Sequence, residues 1–467
     1  MERKMTMATL LVQLLVLAFL ILSKSDETFD VRQHLSTVTR YGAVKDVTAN
    51  DYEASTIPDG CTAIHLNLVA RHGTRSPTTN RMRELDNLAN RLEVLLRDVK
   101  AKAQKINISL QQIPSWLWGW QSPWKGWQKG GELISKGEDE LYHLAVRTRE
   151  RFPDLFDEEY HQDTFVIKAT QVPRTSASAV AFGIGLFNGR GSLGAGKLHA
   201  FAVTSESRAS DILLSFFDCC EKYKKIRKNQ EPVVDKLKEP ILDEITSALV
   251  SRYQLNFTRH DTSSLWFLCK QIALLEWTDD LELFILKGYG KSINYWIGVP
   301  LLQDIVHSME QAIKSKEENL IPGSYEKARL RFAHAETLVL FSCLLGLFLE
   351  GSEFEQIQRE KSLELPPKPP QKRNWKGSMV TPFAGNIMLV LHSCLDNSSS
   401  KYFVQVLHNE VPVALPGCDN KDFCPFEVFK ERIVGPSMKH DFYSLCRAKL
   451  EVQLPKDGET QKNKAEL

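Results

Sequence analysis

The sequence predicts an α/β protein, a sheet domain interrupted by an inserted helical lobe. Two observations carry this. Short apolar, β-branched runs alternate with helical patterns before residue 205 and again after residue 326. Between them, from about Asp211 to Lys316, the chain is helix-rich.

The elements follow in chain order. Cys61 to Ala70 reads as a buried strand, being short and dominated by apolar residues. Arg81 to Lys100 reads as an amphipathic helix, because Leu85, Leu88, Leu92, Leu95 and Val99 recur at steps of three and four. Asp163 to Thr170 is a second strand, Ser176 to Phe187 a helix after it, and Lys197 to Thr204 a third strand. Ala328 to Ala333 is a strand followed by an apolar helix from about Thr337 to Leu349, too short to span a bilayer. Leu365 to Gln371 is a stiff, proline-rich surface loop. Tyr402 to Pro416 reads as a hairpin around His408-Asn409-Glu410 near a sheet edge. The expected division is a signal peptide (1–25), an N-terminal extension (26–60), the α/β domain in two parts (61–205 and 326–450), the inserted lobe (206–325) and a tail (451–467).

At 467 residues and 43% hydrophobic content, the chain can bury a large core unaided. Its 59 Lys+Arg balance 58 Asp+Glu, for a net charge of +1. That excludes a global basic field for nucleic acid and an acidic, disordered character, so any charged partner must be held by a local cluster.

The N-terminus has the layout of a cleaved secretory signal. Arg3 and Lys4 precede an apolar stretch of 13 residues, Leu10 to Leu22, and Ser23 and Ser25 supply small residues for cleavage. The alternative is an uncleaved anchor. With cleavage, no stable membrane span is expected. Sequons at Asn107, Asn256 and Asn397 agree with secretion. In an oxidising lumen most of the nine cysteines should pair, with one left over, and Cys418 and Cys424 bracket a loop short enough to be a local pair. No C-x-x-C or zinc-spaced His occurs, so no metal is expected. The final Lys464-Ala-Glu-Leu467 is close to a lumenal retrieval signal, which leaves secretion and the endoplasmic reticulum lumen both open.

The sharpest chemical feature is Arg71-His-Gly-Thr-Arg-Ser-Pro77, directly after the first strand. Ligand sites in open α/β sheets lie off carboxyl strand ends. Arginine forks match phosphate oxygens, and a histidine held among them can stay neutral enough to attack phosphorus. Gly73 is expected to let the backbone turn sharply. The bland alternative is a solvated, charged turn. His334-Ala-Glu336 ends a second strand, where another imidazole could bind the same phosphate and Glu336 could protonate a leaving alkoxide. The bland reading of Glu336 is a carboxylate at a helix N-terminus. Arg174 adds a guanidinium at a third strand end, or else is a surface arginine.

Three cationic strand ends in one chain resemble the histidine phosphatase superfamily, in its acid phosphatase and phytase branch. The fold class is therefore a histidine-phosphatase-like α/β sheet domain with an inserted helical lobe. Arg-His-Gly-x-Arg-x-Pro is the hallmark of that branch. Most members carry His-Asp distally, whereas His-Ala-Glu is typical of the multiple inositol polyphosphate phosphatases. Gly131-Glu-Leu-Ile-Ser-Lys-Gly137 and the strand pair ending in Pro-Gly-Cys418 share the likeness, which runs from about Cys61 to Cys446. It implies that His72 is a nucleophile forming a phosphohistidine and Glu336 the proton donor. Arg71, Arg75, Arg174 and His334 would hold the phosphate, with Thr78 as a further phosphate contact. Thr79 stands where related phytases often carry Lys, with Arg81 and Arg83 following. No cofactor is implied. The expected partner is a small phosphorylated substrate, inositol polyphosphates including phytate and also bisphosphoglycerate. Rivals are a phosphomutase of the same superfamily, a broad acid phosphatase, and a non-catalytic polyphosphate-binding protein.

Three other signals carry less. Gly189-Arg-Gly-Ser-Leu-Gly194 matches a dinucleotide fingerprint but follows a helix, so it reads as a glycine-rich loop. Lys222 to Lys228 is read as a solvated helix face rather than a polyanion site. Trp116, Trp118, Trp120, Trp124 and Trp127 are expected to bury against the α/β core.

Overall fold

The computed structural model describes residues 31–48, 57–106, 110–111, 113–268, 273–321, 323–369, 371–395 and 400–447. The signal-like N-terminus, Asn107, Asn397, Cys269 and the C-terminal tail lie outside the described residues. A seven-stranded mixed sheet forms the centre, in the order β2-β3-β1-β4-β5-β6, with β7 also pairing β5. The strands are β1 (Cys61–Arg71), β2 (Phe165–Ala169), β3 (Ala328–Ala333), β4 (Asn386–Cys394), β5 (Tyr402–His408), β6 (Val411–Pro412) and β7 (Phe423–Pro425). β1, β2 and β3 are mutually parallel, while β4 runs antiparallel to β1 and β5 antiparallel to β4.

That polarity positions the site. Register pairs Arg71 with Ala333 and Ala169 with Phe332, so the carboxyl ends of all three parallel strands finish at one edge. The amino end of β4 meets them there. The Arg71 amide donates to Gly385 O, and the Ala384 amide to His72 O.

Helices cover both faces because β1 and β4 are apolar on both sides. On one face Leu66, Leu68 and Ala70 pack with Leu141 and Leu144 of α2 (Ser135–Arg151) and Phe182 of α3 (Pro173–Phe187). On the other, Val69 and Leu389 join a larger cluster with α5 (Ala273–Lys287), α6 (Val299–Glu317) and α7 (Ala335–Leu344). α1 (Thr79–Ile106) and α4 (Glu221–Tyr253) complete the long helices. The leucine stripe of α1 is buried, and it faces Leu255 and Phe257 rather than the sheet.

Several expectations are corrected. Lys197 to Thr204 is not a strand. Leu193 and Leu198 exchange backbone bonds around a tight turn, and only Thr204 then touches β2. Between them the Phe201 ring lies so close to Gly183 of α3 that a Cβ there would meet it at 2.4 Å. β4, an unpredicted strand, is wholly buried between β1 and β5. The apolar helix begins at Ala335 and ends at Leu344, short of Leu349, where Gly346 turns at positive φ. Trp118, Trp120 and Trp127 are not core residues of the α/β domain. Trp118 and the 52% exposed Trp127 face solvent, and Trp120 packs against the α1 cluster.

Cys418 pairs with Cys424 as expected, and Cys61–Cys394 and Cys220–Cys446 are further disulfides. Two cysteines, Cys219 and Cys343, are unpaired among the described residues, not one. The glycine-rich loop follows α3 with no strand before it. The lysines of the basic run lie exposed along α4. Asn256 is exposed between buried Leu255 and Phe257. Among the described residues, no helix is long and apolar enough to cross a membrane.

Candidate active site

The hallmark loop is held from below. A Cβ on Gly73 would meet Gly137 O at 2.2 Å, and one on Gly137 would meet Thr74 O at the same distance. Gly73 is required by this close approach to the start of α2, not by a left-handed turn. The Glu140 carboxylate on α2 accepts from both the Thr74 amide and its hydroxyl at 2.8 Å. Arg75 bridges to Leu133, and the Ser76 amide donates to Glu132 O. The glycine-bounded 131–137 motif is thus the clamp on the hallmark loop. Ser178 of α3 accepts from the Gly73 amide and donates to Arg174 O, tying two strand-end loops together.

His72, 3% exposed, sits at the centre. With its Nδ1–H donating to Gly73 O at 2.9 Å, the Nε2 lone pair is left free. Its ring lies 5.7 Å from that of His334, edge to face. Burial, then the charges of Arg71 and Arg174, hold its pKa well below the usual imidazole value. It is therefore neutral across the physiological range.

Three guanidiniums surround it. Arg71 donates from Nη1 to Thr37 O and to Thr381 O at 2.7 Å, and lies 4.3 Å from the Phe383 ring centroid. Arg75 donates to Ser76 O, and Arg174, in the first turn of α3, approaches His334 Nδ1 at 3.4 Å. The Nε of all three is buried with no hydrogen-bond partner. Burial and the charge of Arg75 bring Arg71 down to about 9 and Arg174 to about 10. These are cations held close together without a full complement of acceptors, an arrangement that favours an anion.

His334 caps β3. Its Nε2 lies 3.0 Å from Thr170 Oγ1, which bonds to Thr175. Burial and Arg174 bring its pKa down to about 4. Glu336 follows in the first turn of α7, and its Oε1 accepts from Lys287 Nζ at 2.8 Å. Burial alone would raise this carboxyl, but Lys287 and the surrounding cations hold it well below the usual carboxylate range.

The structure thus brings together His72, Arg71, Arg75, Arg174, His334 and Glu336. Thr78 stands apart. It is exposed ahead of α1, with its hydroxyl 3.5 Å from the Arg81 amide. Sequence reasoning missed Lys287, Thr170 and the carbonyls of Thr37 and Thr381. Thr170 closes a recognised strand and was findable, whereas the others reach the site from distant segments.

The sequence pattern of the histidine phosphatase superfamily (branch 2) matches residues 64–273 and 271–409. The chain belongs to this superfamily. Among its relatives is a multiple inositol polyphosphate phosphatase of Dictyostelium discoideum, 26% identical over 445 residues. The match covers 80% of this chain and 66% of that protein, just under two thirds of the relative's length. Two solved structures share the histidine phosphatase fold. A phytase from D. castellii has a TM-score of 0.65 at 16% identity, covering 90% of this chain and 89% of that one. A multiple inositol polyphosphate phosphatase of Bifidobacterium longum, complexed with inositol hexasulfate, has a TM-score of 0.56 at 19% identity, covering 85% and 97%.

Proposed function

We propose that the protein is a phosphomonoesterase that hydrolyses inositol polyphosphates, phytate included, through a phosphohistidine. The observation that carries this is the trio of guanidiniums with buried, unpartnered Nε atoms around a neutral histidine. The relatives support the substrate class, being named as inositol polyphosphate phosphatases and phytases, one in complex with an inositol hexasulfate. Bisphosphoglycerate is a second candidate substrate.

In this reading Arg71, Arg75 and Arg174, with His334, neutralise the oxygens of the reacting phosphate. The His72 Nε2 lone pair forms an N–P bond as the P–O bond to the leaving oxygen breaks, and Glu336 supplies that oxygen with its proton. Water then attacks phosphorus, its proton passing to the Glu336 carboxylate. The N–P bond breaks, releasing inorganic phosphate. Thr78, exposed just ahead of α1, is a further phosphate contact in the same reading.

The same proposal covers organisation and location. Residues 206–325 form a helical lobe inserted between β2 and β3, supported by the helices that lie between Phe216 and Glu317, of which α5 and α6 also cover one face of the sheet. The protein enters the secretory pathway, supported by the three disulfides among the described residues.

The test is phosphate release from phytate, bisphosphoglycerate and an aryl phosphate by the wild type and His72→Ala. Turnover should vanish in the variant with its melting temperature preserved. Retained turnover would sink the phosphohistidine. Tight phytate binding without release by the wild type would favour a binding protein instead.

A further inference from the structure

Glu336 is engaged by a residue from the helical segment. Lys287 closes α5, and its ammonium lies 2.8 Å from Glu336 Oε1, both side chains about a quarter exposed. Lys287 also lines a cavity of about 290 Å³, together with Thr37, Arg81, Lys238, Asp279 and Glu282. Thr37 is the residue whose carbonyl holds Arg71, so the cavity opens beside the guanidinium cluster. Lys287 therefore stands between the candidate proton donor and a polar space next to the reacting phosphate.

Its present pairing conflicts with the donor role. A carboxylate bound to an ammonium is poorly placed to carry a proton. The other groups acting on Glu336 are Arg71, Arg75, Arg174, Arg208, His334 and the Tyr223 hydroxyl of α4. The arginines too favour the ionised form. A single bound phosphate offsets the three nearest guanidiniums but leaves the Lys287 pair intact. A second phosphate on the same molecule, reaching the cavity, would offer Lys287 a stronger anionic partner than one carboxylate.

We propose that Lys287 is an exchangeable counter-ion, surrendered by Glu336 to a non-reacting phosphate of the substrate, so that the acid is armed only by polyphosphorylated substrates. This rests on the phosphatase reading above. Lys287 acts through Glu336 and is a positioning residue. Once Lys287 turns away, Glu336 takes a proton from solvent and delivers it to the leaving oxygen. Selectivity for several phosphates then arises in turnover as well as in binding.

The test compares phytate, an alkyl monophosphate and an aryl phosphate on wild type, Lys287→Met and Lys287→Arg. In the wild type, the alkaline limb of kcat should lie at higher pH for phytate than for the alkyl monophosphate. In Lys287→Met the alkyl monophosphate limb should rise to meet it, and the kcat/KM preference for phytate should fall about tenfold, one pKa unit's worth. Lys287→Arg should keep the preference, and the aryl phosphate profile, which needs no acid, should keep its shape. Coincident limbs in the wild type, or a uniform loss on all three substrates in Lys287→Met, would overturn the proposal. A wild type that hydrolyses none of the three would instead overturn the phosphatase reading beneath it.

Discussion

Two groups of arginines, each part-buried against the same sheet, are treated in opposite ways. Within β3, Arg329 and the 1% exposed Arg331 are matched to acids and amides. Arg329 forks onto Glu326 at 2.7–2.8 Å and reaches Asp304 at 2.6 Å. Arg331 bonds to Asp304 and to Asn67 Oδ1, and His65 closes the network on Glu326 at 3.0 Å. At the carboxyl edge of the same strands, Arg71, Arg75 and Arg174 donate to neutral carbonyls or an imidazole and keep unpartnered Nε atoms. Burial lowers the pKa values of Arg71 and Arg174 and mutual repulsion lowers them further; in β3 the acids raise that of Arg329, and Arg331 falls by burial with Asp304 opposing the fall. A buried arginine saturated by partners is part of the scaffold. Arginines held together against their own repulsion are poised for an anion, and removing one should cost function before stability.

The largest effect that would sharpen this contrast lies at Glu336. Glu336→Gln should slow phytate hydrolysis by about 10²–10⁴ and spare an activated aryl phosphate, whose leaving group needs no proton. Its melting temperature should hold, because the lost partner is Lys287, about a quarter exposed and able to reach solvent. An equal loss on both substrates would make Glu336 a structural member of the cluster, like Glu326 in the other network.

Exchanging the two kinds of arginine is the direct test. Arg174→Ala should lower kcat/KM by about 10²–10³, the scale for losing one oxyanion donor, while native stability holds or rises slightly as a repelled charge leaves. Arg331→Met should cost about 1–3 kcal/mol in urea unfolding, since Asn67 loses a buried partner while Asp304 keeps Arg329. The molecules that remain folded should keep their kcat/KM. Inorganic phosphate should raise the melting temperature of the wild type and Arg331→Met more than that of Arg174→Ala. Equal destabilisation by both substitutions would erase the distinction.

What could be read from the sequence follows how locally each feature is encoded. Arg71, His72 and Arg75 share one loop, and His334 and Glu336 another, so residue type and position at a strand end were enough to mark them. The three parallel strands that align those loops were also legible. β4 was not, because its Ile387 to Leu391 run lacks alternation and could belong to any buried element. Lys287 was invisible because it lies 49 residues from Glu336, and no pattern links them until α5 packs beside α7. The Trp116–Trp127 cluster misled for a related reason. Apolar content argues for burial, but Trp118, Trp120 and Trp127 belong to a surface segment beside α1.

The smallest effect expected separates the regions by pH. Burial brings His334 at the site, and His392 and His408 in β4 and β5, down to about 4. The unfolded chain protonates its histidines near 6.5, so between about pH 6.5 and 4 it binds protons that the native state refuses. These groups therefore contribute fully above pH 6.5, and their contribution is lost as pH falls toward 4. Each is worth on the order of 1–3 kcal/mol. A bound phosphate favours imidazolium at His334 but is remote from His392, which pairs in register with Phe403 on the far stretch of the sheet. Phosphate should thus flatten part of the acid loss in urea midpoints measured from pH 7 to 4.5. His392→Leu should flatten a different part, with or without phosphate. If the two effects do not add, the site and the sheet interior share one titration, and the separation drawn from the arginines does not extend to the histidines.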